Sequence, residues 1–150
     1  MVKNGIAGLI AAIMALFAVT AQAAWMGGRG SGGWGMGSAY QRMYNPQTVE
    51  TISGTVESME KFKPMRGMHS GVHLTVKTTE GIVLVHLGPD WYIERQDVKF
   101  AKGDKVEVKG SKVTFNGKPA IIAQEIKMDG GTLILRDDSG IPEWAGWRRK

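Results

Sequence analysis

The residues of this 150-residue chain best suited to chemistry are its three histidines and two neighbouring methionines. Met65, Met68 and His69 lie in the segment "KPMRGMHS", and His73 and His86 follow in the adjoining runs "GVHLTVK" and "GIVLVHL". Thioether and imidazole without thiolate form a donor set that suits copper(I) or silver, because thioether sulfur is soft and imidazole accommodates several metals. His73, His86, His69 and Met68 are therefore the candidate metal ligands, and a copper or silver ion is the one cofactor the chain suggests. A plainer reading stands beside it: the methionines pack a loop against the body of the protein while the histidines face solvent.

Other chemistry has less support. The chain has no cysteine, which excludes thiol catalysis, thiolate metal sites and a disulfide framework. Asp90 and Glu94 read as acids at a helix start, and Asp137 with Asp138 as a polar turn before Gly140. Neither pair brings an activated nucleophile or base into a recognisable arrangement, so no catalytic residue and no enzymatic activity is expected. Gly28, Gly30 and Gly33 match the spacing G-x-G-x-x-G. With no strand before them and no helix after, they lack the context in which such glycines hold a dinucleotide.

Strands must position the histidines. Residues Val72, Leu74 and Val76 alternate with His73, Thr75 and Lys77, and Val83, Val85 and Leu87 alternate with Leu84 and His86. This period of two predicts a hairpin with one apolar face turned to the core and both histidines on the other. With Glu80-Gly81 as the turn, His86 stands opposite Thr75 and His73 is its diagonal neighbour, about 7–8 Å away at the backbone.

Around that hairpin, "TISGTVESMEKF" predicts a strand whose inward residues are Ile52, Val56 and Phe62, with a bend at Gly54. Pro89, followed by Asp90 and Glu94, predicts a short helix. Val106 and Val108, then Val113 and Phe115 in the other phase, predict a strand with a bulge at Gly110-Ser111. Asn116-Gly117 marks a hairpin turn into a strand carrying Ala120, Ile122 and Ile126, and "TLILR" predicts a last short strand. A mostly β fold follows: a small five- to six-stranded Greek-key barrel of the OB type, with one short helix after the third strand.

The remaining segments set the context. Lys3, an apolar run from Ile6 to Val19 and the small residues Ala21 to Ala23 predict an export signal over residues 1–23, removed on passage to the periplasm or medium, with an uncleaved membrane anchor as the alternative. Residues 24–48 are glycine-rich with isolated aromatics and are expected to behave as a flexible arm. The barrel is expected over 49–137 and a tryptophan-rich basic tail over 138–150. The net charge of +5 is compatible with anionic lipid, nucleic acid or acidic protein without selecting one.

The runs "GVHLTVKTTEGIVLVHLGPDWYIERQ", "GDKVEVKGSKVTFNGKPAIIAQEIK" and "LRDDSGIPEWAGWRR" resemble a group of small exported bacterial OB-fold proteins, some of them called DNA-binding proteins. The resemblance spans Val49 to Arg149 and implies a fold and an address rather than an activity. A periplasmic copper chaperone is also a small OB-type barrel using His, Met and a nearby Trp. Trp91 lies just past His86, though the motif order differs from that protein's. The leading expectation is an exported binding module for an envelope protein or small ligand. Its contact residues would be Lys63, Arg66, Lys77 and Trp91, with Trp144, Trp147, Arg148 and Arg149 in the tail. That tail is expected to close an open end of the barrel, with contact to a membrane interface as the alternative. Nucleic acid is disfavoured because the hairpin carries no aromatic residue on which bases could stack.

Overall fold

The computed structural model describes residues 32–145. The expected export signal, the start of the glycine-rich stretch and the residues Trp147, Arg148 and Arg149 lie outside them. Two single-turn 3-10 helices, Gln41–Met43 and Pro46–Thr48, lead into β1 (Val49–Phe62). The chain continues through β2 (Gly71–Thr78), β3 (Gly81–Pro89), α1 (Asp90–Ile93), β4 (Lys105–Phe115), β5 (Lys118–Met128) and β6 (Gly131–Ile134).

The strands hydrogen-bond in the order β3-β2-β1-β4-β5-β6, and a parallel β3–β5 pairing closes the first five into a ring. The result is the small OB-like barrel expected, with one short helix after β3 and β6 added on the outside of β5. Its interior is filled by Val56, Leu74, Val76, Val85, Leu87, Val108 and Ile126, all fully buried. Closure leaves few free strand edges, so a chain without disulfides can hold a barrel on packing alone.

Local chemistry sets the registers. At the β2–β3 hairpin, Thr78 pairs with Gly81, so the turn is Thr79-Glu80 rather than Glu80-Gly81. The Thr78 hydroxyl fixes it by donating to the Gly81 carbonyl and accepting from the Glu80 amide, and Gly81 takes φ 126°. The pairings from the turn to His73–His86 therefore move by two residues, which preserves the faces and makes His73 and His86 direct partners, before a further shift between Val72 and His73. In β1 the register shifts between Val56 and Ser58, past the glycine expected to bend it. Gly54 instead admits the β2 backbone, since a Cβ there would collide with Lys77 and Val76. The bulge expected in β4 at Gly110-Ser111 falls on the partner strand instead: Lys109 pairs with Glu125 and Gly110 with Ala123, so the extra residue is Gln124 of β5, and β4 runs unbroken against β1. Asn116 (φ 53°) and Gly117 (φ 77°) form the tight turn expected of that pair.

The stretch expected to be a flexible arm behaves differently from Gly32 onward. Trp34, Tyr40 and Tyr44 are buried. Trp34 donates from Nε1 to the His69 carbonyl at 2.9 Å and Gln41 from Nε2 to that of Gly140 at 2.6 Å. The niches that receive this segment are glycines on neighbouring strands: a Cβ on Gly71 would enter the Trp34 ring, and one on Gly88 would lie 2.7 Å from the ring of Trp144. Trp144, fully buried, donates from Nε1 to the Trp34 carbonyl at 2.9 Å. Both ends of the described chain thus meet over the outer face of the β2–β3 hairpin, where aromatic burial offsets the entropy lost by ordering glycines.

Candidate functional site

The docked segment turns the outer face of the hairpin into a layered site. His86 lies at the seam where β3 meets β5, opposite Ile122, and is completely buried. Its Nδ1 shares a 2.8 Å hydrogen bond with the Tyr40 hydroxyl. Phe62 from the end of β1 stacks on His73 at 4.6 Å with the planes 12° apart, and also lies 4.6 Å from His86. Phe115, from the end of β4, meets His86 edge to face at 4.8 Å. The His73 and His86 ring centres are 6.5 Å apart. Phe62, His73 and Phe115 are each only partly buried, so they form the accessible side of a cluster whose floor is His86.

Electrostatics keep the imidazoles neutral. Burial pushes His86 down to about 3, helped by the adjacent His73 and then by the Arg136 guanidinium. His73 is also lowered by burial, against the opposing pull of the Glu60 carboxylate. Burial raises the Tyr40 phenol, so it remains a neutral partner for His86. Arg136 is itself 1% exposed: its Nη1 donates to the Leu87 and Ala123 carbonyls and its guanidinium lies 4.9 Å from the Trp144 ring centre. His73 Nδ1, His86 Nε2, and Nε and Nη2 of Arg136 are buried without a hydrogen-bond partner.

Of the four candidate metal ligands, the fold brings His73 and His86 together and occupies the others elsewhere. His69 is exposed, and its Nε2 lies 2.9 Å from Asp90 Oδ1. Met68 is buried beneath the docked segment, where a Cβ on Gly33 would meet its side chain at 2.7 Å. Lys63, Arg66 and Lys77 are exposed, Trp91 is partly buried on α1, and Trp144 is sealed in the interior. Trp144 packs against Gly88 of the hairpin and the Trp34 segment, while Trp147, Arg148 and Arg149 lie outside the described residues. The acids at the two ends of α1 are engaged, with Lys61 Nζ 3.6 Å from Asp90 in its first turn and 3.4 Å from Glu94 just past it.

Two expectations need correction here. The hairpin itself carries no aromatic residue, yet the face has an aromatic platform, because Phe62 and Phe115 reach it from β1 and β4. Both were expected in the core: Phe62 is re-aimed by the extra residue between Val56 and Ser58 in β1, whereas Phe115 keeps the phase opposite to Val106 and Val108, because the extra residue beside Gly110 is Gln124 of β5 and β4 itself runs unbroken against β1. Tyr40, Trp34 and Arg136 were also missed. Gly71 and Gly88 were the available signal, since a glycine in a strand often marks the close approach of another group.

The fold and site define a class: a small OB-like β-barrel whose hairpin face carries a half-buried aromatic and imidazole cluster, pinned by both ends of the described residues. The model of the MamS/MamX magnetosome protein family matches residues 48–133, more than half of the chain and nearly all of the strands. The chain belongs to that family. No curated protein matches it. Among the described residues, no helix is long and apolar enough to cross a membrane.

Proposed function

We propose that the protein is an exported, non-enzymatic binding module of the magnetosome, and that its Phe62–His73–Phe115 face contacts a magnetosome or envelope protein. The observation that carries this reading is a coincidence of extent: the family match begins one residue before β1 and ends within β6. What the family shares is therefore the barrel that builds this face. Partly exposed aromatic rings held at fixed spacing are the usual anchors of a protein interface, because they bury much area at little entropic cost. Exposed Lys63 and Arg66 lie on the loop that follows Phe62 and would form part of a polar rim. The engagement of Asp90 and Glu94 in ion pairs supports a binding role over acid–base catalysis.

The test is co-purification of the tagged protein with isolated magnetosomes, compared with a Phe62→Ser, Phe115→Ser variant whose circular dichroism matches wild type. Retention of wild type and loss of the variant is the expected result. Equal retention of both would remove this face from the contact.

One observation favours a second reading, single-stranded nucleic acid: Phe62 and Phe115, 6.4 Å apart, supply the aromatic platform the hairpin lacks. A gel shift with single-stranded oligonucleotides that weakens steeply with salt and is lost in the same variant would support it. No shift at low salt would dismiss it.

A further inference from the structure

The His73–His86 pair has a feature that partner docking does not use. Both rings have a buried nitrogen with no hydrogen-bond partner, Nδ1 on His73 and Nε2 on His86. A buried polar atom left unpaired is unfavourable, so each of these nitrogens gains by acquiring a partner. The two rings are direct cross-strand partners with centres 6.5 Å apart. A metal–imidazole bond of about 2.0–2.1 Å and a ring radius of roughly 1.1 Å would set two rings sharing one ion about 6.3 Å apart.

We propose that His73 Nδ1 and His86 Nε2 form a two-coordinate site for a soft monovalent cation of the copper(I) or silver(I) class, walled by Phe62 and Phe115. The surroundings select that class. A structural zinc ion takes four ligands, whereas among the described residues no three His, Cys, Asp or Glu side chains converge. The Arg136 guanidinium already places one positive charge near His86, which disfavours a divalent ion more than a monovalent one. The second shell is also present. An ion on Nε2 selects the His86 tautomer in which Nδ1–H donates to the Tyr40 oxygen, 2.8 Å away, the arrangement by which ligating histidines are oriented. His73 is partly exposed and gives the ion its way in.

The test uses the chain without its first 23 residues, labelled with nitrogen-15 and titrated with silver nitrate in chloride-free buffer, with the imidazole nitrogens followed by long-range proton–nitrogen correlation. One equivalent of silver is expected to move His73 Nδ1 and His86 Nε2 and to leave His69 in place. His73→Gln, a change at a partly exposed position, is expected to weaken binding by at least about tenfold. The proposal is overturned if both nitrogens stay put while silver binds methionine sulfur, if His69 responds instead, or if no silver binds. Since the wild-type spectrum alone decides between these outcomes, the conclusion does not depend on the variant folding.

Discussion

Replacing Trp34 with alanine asks how firmly the glycine-rich segment is attached. The indole is 1% exposed, with ring centres 4.9 Å from Tyr40, 6.3 Å from Trp144 and 6.4 Å from Phe62. Truncating a tryptophan so enclosed costs about 3–5 kcal/mol, since transfer energy is lost and a cavity remains. The indole hydrogen bond to the His69 carbonyl adds little, because His69 is exposed and water can replace the donor. For a domain of this size the loss corresponds to a fall in Tm of roughly 10–20 °C. Urea unfolding followed by far-ultraviolet circular dichroism measures it, and the midpoint should drop sharply in Trp34→Ala. A freely moving arm would give a surface-type effect within about 0.5 kcal/mol, and that result would refute the docking.

Further expectations follow from the same packing. Gly88→Ala and Gly71→Ala should each destabilise by about 1–3 kcal/mol through overpacking, and Gly71→Ala combined with Trp34→Ala should fall short of additivity because the two share one niche; urea midpoints of the single and double variants decide it. Tyr40→Phe keeps the ring but strands His86 Nδ1, so a loss of about 1–3 kcal/mol is expected from the same measurement. Burial holds His86 down at about 3 in the folded protein, well below the ordinary imidazole value of 6.5. In the metal-free protein its contribution is therefore complete above pH 6.5 and is lost as pH falls toward 3, with stability rising by at most about 1.4 kcal/mol per pH unit between. His73, shifted the same way, adds to that slope. An NMR titration in which the His86 ring protonates near 6.5 would contradict its burial.

How much was legible before the fold was known depended on how local the determinant was. The alternation of Val72, Leu74 and Val76 with His73, Thr75 and Lys77 gave the faces of the hairpin correctly, and the faces survived a wrong turn because the error was an even number of residues. The Asn116-Gly117 turn and the helix after Pro89 were readable for the same reason: each is specified within a few residues. Phe62 was misplaced because an extra residue after Val56 reverses the alternation of β1, and Phe115 because the bulge expected in β4 falls at Gln124 of the partner strand β5, leaving Phe115 in the phase opposite to Val106 and Val108. Trp34 and Tyr40 were illegible as packed residues, since what orders them is long-range: Gly71 and His86 lie 37 and 46 positions further along the chain. The buried Arg136 is held by the carbonyls of two other strands, and no local pattern announces that.

Hydrogen exchange on the protein bound to isolated magnetosomes, against the free protein, tests the functional account most directly. Added protection is predicted at the ends of β1 and β4 and across the hairpin around His73, where the aromatic and imidazole face is presented. Protection confined to the outward residues of β4 and β5, such as Glu107, Lys109, Glu125 and Lys127, or to β6, with the hairpin face unchanged, would contradict it.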